Sequence, residues 1–113
     1  MHELSLCEGI VELLREQAAA RDYRRVRTVW LEVGRLSHAE PSALRFCFDV
    51  VAKGTLAEGA ALHIDEIDGE AWCEACRRVV PANTRYDPCP RCGGHRLEVV
   101  AGAELRVREL EVE

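Results

Sequence analysis

Long apolar runs are missing from this 113-residue chain: no segment approaches the roughly 18 apolar residues that a membrane-spanning helix requires, and no basic stretch leads into an apolar one at the N-terminus. A membrane span and an export signal are set aside on that ground, and an uncleaved, cytoplasmic chain is expected. Aromatic residues are scarce, two each of Trp, Tyr and Phe, and positive charge is outweighed, leaving a formal net charge of -5. A chain of that sign offers no attractive field to a phosphate backbone or an anionic bilayer, so neither nucleic acid nor membrane is expected as a partner. The length suffices for one domain with a modest core, and any second module must be small.

What the chain does have is cysteine, six residues in all. Without an export signal these thiols stay reduced, so metal binding and not a disulfide scaffold is the expected use of most of them. Cys7 and Cys47 stand apart from the others on predicted helix faces, where free cysteine behaves as a small buried hydrophobe.

Leu6, Ile10, Leu13 and Leu14 recur at helical spacing ahead of the helix formers Arg15 to Ala20, which predicts an amphipathic helix over 5–20. β-branched and aromatic residues predict a strand over 26–33, ended by Gly34. Ser37 and Glu40 have the spacing of a capping box, with Pro41 in the first turn of a second helix that buries Leu44, Cys47, Phe48 and Val51. Gly54 stands where a helix C-terminal glycine belongs, and Gly59 turns the chain into a strand over 61–67. Past Asp68-Gly69-Glu70 the composition shifts to four cysteines, three prolines and two glycines with weak periodicity, a stretch that metal and not a core must organise. Strand character resumes over 104–112, but Leu105 and Val107 are out of phase with Leu110 and Val112, so a bulge is expected near Arg108 or Glu109. The predicted fold is α+β with its elements in α/β-type order: two helices on one face of a small β-sheet, with a zinc-ribbon module inserted before the last strand. The corresponding division is an α/β domain over 1–69, the ribbon over 70–98, and a C-terminal strand over 99–113 returning to the first domain.

Cys73-x-x-Cys76 and Cys89-x-x-Cys92, twelve residues apart, let four thiolates converge tetrahedrally on zinc. Four sulfurs leave no open coordination position, so such a zinc is structural, and a zinc hydrolase is not expected. Gly93 permits a tight turn after the second pair; the first, Cys73-Glu74-Ala75-Cys76-Arg77, lacks that glycine and is expected to make a looser loop. Zinc binding to such segments is worth roughly 10 to 16 kcal/mol, more than this stretch could gain by packing. His95, three residues past Cys92, is a further metal-ligand candidate.

Histidine at position 2 offers chemistry that an internal histidine cannot. The α-amine of Met1, the amide nitrogen between Met1 and His2, and the His2 imidazole can close two fused chelate rings. Three nitrogens in one plane suit nickel(II) or copper(II) better than zinc. The amine and the imidazole must both be deprotonated, so uptake weakens as pH falls. Glu3 is a candidate to orient the imidazole or neutralise charge, and His38 and Glu40 are candidates to support the same site.

Taken together, Met1-His2-Glu3, Val29-Trp30-Leu31-Glu32-Val33-Gly34, Leu44-Arg45-Phe46-Cys47-Phe48-Asp49, Gly54-Thr55-Leu56-Ala57-Glu58-Gly59-Ala60, the two cysteine pairs and Glu104-Leu105-Arg106-Val107 give the chain, over essentially its whole length, a close resemblance to the HypA and HybF hydrogenase nickel-incorporation proteins. The resemblance implies a nickel metallochaperone for maturation of [NiFe]-hydrogenase and not an enzyme. Its implied partners are the GTPase HypB and the hydrogenase large subunit, with a homodimer as one assembly open to it. It implies nickel(II) as cargo on the N-terminal amine and His2 with support from Glu3, beside a structural zinc. Glu40 matches an acidic residue near the nickel site that is often aspartate in the family. Histidines that in some members flank the zinc cysteines are replaced here by Arg78 and Gly93, which leaves His95 as the nearby histidine for nickel. A competing reading is a zinc-ribbon module for nucleic acid or transcription machinery; Arg77, Arg78, Arg85, Arg91 and Arg96 lie in the ribbon, but Trp72 and Tyr86 are its only aromatics for base stacking.

Overall fold

An apolar stripe at positions 7, 10, 11 and 14 organises the N-terminal segment. In the computed structural model, which describes residues 2–113, Cys7, Ile10, Val11 and Leu14 are all buried on α1 (Glu3–Arg21). The stripe differs from the expected Leu6, Ile10, Leu13 and Leu14: Leu13 remains 40% exposed, while Cys7 and Val11 take inward places. Both sets are contiguous stripes of a 3.6-residue helix; the buried one is centred roughly 60° further round, so that Ile10 and Leu14 belong to both while Leu13 falls on the exposed margin and Cys7 and Val11 inside. The helix starts two residues earlier than expected because the His2 carbonyl already accepts from the Leu6 amide at 2.9 Å. It stops at Asp22, which turns left-handed (φ 59).

β1 (Val26–Gly34) follows, then a short 3-10 turn (Arg35–Ser37) and α2 (Pro41–Ala52). The expected Ser37–Glu40 capping box does not form. Ser37 Oγ donates instead to the Gly34 carbonyl at 2.6 Å, and Glu40 is itself the N-cap, accepting from the amide and hydroxyl of Ser42 at 3.3 and 3.0 Å. Pro41 then occupies the first helical position, where no amide hydrogen is needed. Leu44, Cys47, Phe48 and Ala52 turn inward, and α2 packs on α1. Cys7 and Cys47 are core residues as expected: the Cys7 thiol faces the Leu44 carbonyl at 3.4 Å, and burial pushes its pKa up to about 11, which keeps it protonated and unreactive.

β2 (Ala61–Ile67) has its predicted bounds. The cysteine-rich stretch, read from sequence as a zinc-ribbon module of poor periodicity with no strand bounds assigned, contains three strands: β3 (Glu70–Cys73), β4 (Arg78–Pro81) and β5 (Leu97–Ala101), followed by β6 (Leu105–Val112). One sheet has the order β2-β1-β6; the other has the order β4-β3-β5, with both its pairings antiparallel. In β6 the alternation breaks at Arg108–Glu109, two consecutive exposed residues, where the irregularity is expected from sequence. The observed architecture is thus α+β, two helices with two small sheets. Among the described residues no helix is long and apolar enough to cross a membrane.

The chain divides into two compact units, one of Met1–Leu31, Ala39–Ile64 and Val107–Glu113, the other of Glu32–His38 and Asp65–Arg106. The first contains both helices and the large buried side chains Leu14, Val26, Val29, Leu31, Leu44 and Phe48. The second has a sparser interior, in which Leu36, Ala71 and Ala82 form one small cluster and Cys73, Val80 and Cys89 another. Around Leu36 the backbone is crowded: a Cβ on Gly102, which has φ +83, would lie 2.6 Å from the Asp68 carbonyl oxygen, and one on Gly69 would meet Leu36 itself.

Candidate metal centre

The four paired cysteines converge. Their sulfurs all lie within 4.8 Å of one another, the one such group of three or more possible metal-ligating side chains among the described residues. Cys73 Sγ is 3.7 Å from Cys92 Sγ, and Cys76 Sγ is 3.9 Å from Cys89 Sγ. A tetrahedral zinc with Zn–S bonds of about 2.3 Å needs sulfur–sulfur edges of about 3.8 Å. A disulfide would need about 2.05 Å, so the spacing suits a shared ion and not a pair of bridges. All four thiols are free.

The local folding that brings them together is repeated. Cys73 ends β3 and pairs with Arg78 at the start of β4, so the first Cys-x-x-Cys forms the tip of a hairpin. The Arg77 amide closes it by donating to the Cys73 carbonyl at 2.8 Å, and the Cys76 amide donates to Cys73 Sγ at 3.4 Å. In the second pair the Gly93 amide donates to the Cys89 carbonyl, also at 2.8 Å, while the Arg91 and Gly94 amides donate to Cys89 Sγ and Cys92 Sγ at 3.4 Å each. Arg77 has φ 53 and Gly93 φ 74. The first loop is therefore no looser than the second; it makes the same left-handed closure with an arginine, a conformation that costs an L-residue roughly 1 kcal/mol or more. The connection between the pairs is pinned by Thr84, whose hydroxyl donates to Asp87 Oδ1 at 2.8 Å.

Electrostatics distinguish the sulfurs. The amide of Cys92 and, less strongly, that of Arg91 hold the Cys89 thiol down to about 6, against the opposing effect of burial. Burial, with added hydrogen bonds from the other three sulfurs, pushes Cys76 up to about 12. Amides aimed at a sulfur favour its thiolate, and a divalent cation at the centre would favour all four. The donor set fits zinc: four soft thiolates, closed to a fifth ligand, with amides oriented on the sulfurs. Cys73 and Cys89 are 1% and 2% exposed, and Cys92 lies at the surface.

The other residues singled out by the sequence are arranged as follows. Met1 lies outside the described residues. His2 is exposed, caps α1 without a side-chain hydrogen bond, and is followed by Glu3, which is only 7% exposed. Glu3 Oε2 accepts from the Glu40 amide at 3.2 Å, and that bond, with one from its own amide and a lesser contribution from nearby His2, holds its carboxyl below the ordinary glutamate value. The start of α1 is thereby tied to the start of α2, a contact that sequence periodicity has no means of finding. Glu40's own carboxylate is used in capping α2. His38 is exposed in a left-handed conformation (φ 63). His95 is exposed and lines a shallow hollow with Trp72, Glu74 and Leu97; it is not part of the sulfur cluster.

Fold and cluster define a small α+β metal-binding protein built around a four-cysteine centre. A family model described as "Hydrogenase/urease nickel incorporation, metallochaperone, hypA" matches residues 1–112. The hydrogenase maturation factors HypA of Azotobacter vinelandii and of Rhodopseudomonas palustris (strain BisA53) are 58% and 55% identical to this chain, each over 113 residues and the full length of both sequences. The solution structure of the Ni metallochaperone HypA from Helicobacter pylori matches with a TM-score of 0.75 at 25% identity, covering 99% of this chain and 97% of that one. The chain belongs to the HypA family of nickel-incorporation metallochaperones, which act in hydrogenase maturation.

Proposed function

We propose that this protein carries nickel(II) on its own N-terminus and delivers it during maturation of [NiFe]-hydrogenase, by ligand exchange and not by catalysis. The single observation that carries the reading is the family match over residues 1–112, which includes the His2-Glu3 start. The chelate would consist of the Met1 α-amine, the Met1–His2 amide nitrogen and the His2 imidazole, a planar nitrogen set of the kind nickel(II) prefers. An exposed His2 with no capping bond to break supports this, since its imidazole is uncommitted within the helix. Glu3 supports the site by fixing the first turn of α1 through the Glu40 amide. Glu40, His38 and His95 are held as supporting residues. The domain division assigns nickel to 1–69, zinc to 70–98 and the closing strand to 99–113.

Cys73, Cys76, Cys89 and Cys92 would hold one zinc ion. When bound, that zinc supplies a closed four-thiolate node and leaves no position for a substrate. The partners in this reading are HypB and the hydrogenase large subunit, with no nucleic acid and no membrane, in the cytoplasm.

A short peptide fused ahead of Met1 tests the terminal chelate. Tight nickel binding should disappear while zinc stays at one per chain; unchanged nickel affinity would overturn the proposal. His2→Ala should likewise remove nickel binding and maturation with little change in thermal stability, because an exposed residue 2 supports no core. Nickel X-ray absorption on the untagged protein would read ligand type and geometry directly, and a sulfur-rich shell would exclude the nitrogen set.

A further inference from the structure

We propose that the outer seam between α1 and α2, with Phe46 as its anchor, is the surface on which the protein that receives nickel docks, through a segment that carries apolar residues among basic ones. The receiver's identity rests on the nickel-carrier function proposed above; the seam itself is read from the fold. Two contacts fix how the helices lie. Glu3 Oε2 accepts from the Glu40 amide at 3.2 Å and the Cys7 thiol faces the Leu44 carbonyl at 3.4 Å, each pairing 37 residues apart, so the helices run side by side in one direction. His2, the N-cap of α1, stands at the head of the seam.

Helical geometry says which residues line it. On α1, Leu13 and Gln17 turn toward β6, with which they border a groove. Leu4 is nine residues from Leu13, about half a turn round at roughly 100° per residue, and so turns to the other flank, beside α2. On α2, Arg45 donates to the Leu62 carbonyl of β2. Ala43 and Val50 lie roughly 140–160° round from it, on the flank beside α1, and Phe46 stands on the crest about opposite the buried Leu44 and Phe48. Positions 43, 46 and 50 thus form one outward stripe. Phe46 is 71% exposed, Val50 48% and Leu4 45%. Single exposed apolar side chains are ordinary; three along one seam, a phenylalanine among them, have the composition of an interface core.

Charge and cargo specify the occupant. Glu8, Glu12 and Glu16 follow one another at i, i+4 and i+8 on the exposed side of α1, and Asp49 is exposed next to Val50. Among the described residues only Glu12 of these has an ion pair, with Arg15, and Lys53 lies just past the far end of α2. Such a border repels phosphate backbones and anionic lipid and attracts a cationic segment. Nickel(II) passes by ligand exchange without change of oxidation state, so the receiver's donor atoms must reach the ion at His2 as the carrier's nitrogens release it. A protein interface of ordinary size, about 800 Å² on each side, cannot cover His2 without also covering the first turns of both helices.

The experiment is calorimetric titration of the zinc-loaded, nickel-free chain with nickel-free hydrogenase large-subunit precursor, at low and high salt. Phe46→Ser should weaken binding about ten-fold or more, and Phe46→Leu should retain most of it. The double variant Glu8→Gln/Glu16→Gln should weaken it a few-fold at low salt and little at high salt. Tyr86→Ser, which removes an aromatic that is 87% exposed in the other unit, should change nothing. Nickel affinity, zinc content and thermal stability should match wild type in every variant. Undiminished binding of Phe46→Ser overturns the proposal, as do a wild-type chain that does not bind the precursor and a loss confined to binding of HypB or of an oligonucleotide. Because docking is measured without nickel, a failed terminal chelate leaves this result standing, and a failure here leaves the chelate standing.

Discussion

The two units of this molecule solve the same problem by different means. The helical unit excludes water with large side chains: Phe48, Leu14, Leu31 and Leu44 are each almost wholly buried. The cysteine unit has little of that kind. Beyond Val33 and Leu36 its buried side chains are Ala71, Ala82, Cys73, Val80 and Cys89, too small to offset the backbone entropy of a three-stranded sheet by burial. Convergent sulfur supplies what apolar volume does not. The difference teaches where each unit is vulnerable, one to a cavity and the other to loss of a ligand.

The comparison breaks most visibly when the metal is withdrawn. Chelation, or Cys92→Ser, should melt the segment 70–97 while the helices persist. Limited proteolysis should cut within that segment, and amide exchange should accelerate there and not in α1 or α2. No other perturbation of this chain should have so large an effect, since structural zinc is worth roughly 10 kcal/mol or more to a segment of this type. Full protection of 70–97 in the metal-free protein would show that its small clusters suffice. The converse perturbation is Phe48→Ala, a cavity in the helical unit, which should cost about 3 to 5 kcal/mol by denaturant titration of the helical signal. Zinc content should be unchanged, and a parallel loss of zinc would show that the units do not respond separately.

What is legible in the sequence follows the same division. The bounds of β2 and the four-cysteine set can be read from spacing alone, because alternation and Cys-x-x-Cys pairs are direct imprints of geometry. β3, β4 and β5 are not legible. The inward positions of β3 and β4 are Ala71, Cys73 and Val80, and alanine and cysteine register weakly on any hydrophobic scale although the period-2 pattern is present; β5 turns Leu97 and Val99 toward the small clusters but, at five residues, is too short for its alternation to stand out. The stripe of α1 misleads for a related reason: leucines at 6 and 13 outweigh Cys7 and Val11, which are smaller and lie on the other side of the shared Ile10 and Leu14, so periodicity alone does not say which way the buried face is turned. The Glu3–Glu40 contact is out of reach, since no local pattern pairs residues 37 apart.

Within the cysteine unit, the two loops sharpen the contrast further. Both close with a left-handed residue, yet one uses Gly93 and the other Arg77. Arg77→Gly should leave stability unchanged or raise it by up to about 1 kcal/mol, the relief of strain being partly offset by a more flexible unfolded chain. Gly93→Ala should cost about 1 kcal/mol, and no side chain lies close enough to add a steric penalty. Measured zinc affinity should rank Arg77→Gly at or above wild type and Gly93→Ala below it. Equal losses in both would mean that Arg77 contributes something other than its backbone.

The smallest effect concerns Glu3, the buried carboxylate among the described residues of the helical unit. Glu3 is held below the ordinary value of 4.5 chiefly by the Glu40 amide, so its charged form is favoured by folding. The sign follows: that contribution is complete above the unfolded value and is lost as pH falls through the lowered folded one. Glu3→Gln retains an acceptor but no charge, so the stability difference from wild type should be constant above about pH 5 and shrink toward zero below about pH 4. The cysteine unit should fail at higher pH, because protons compete with the metal for four thiolates before they reach a hydrogen-bonded carboxylate. Acid unfolding followed separately in the two units should therefore show the ribbon lost first and the Glu3-dependent step second. A Glu3→Gln difference that persists to about pH 3, below the range in which a glutamate ordinarily titrates, would mean that the side chain acts through its shape in the α1–α2 junction and not through its charge.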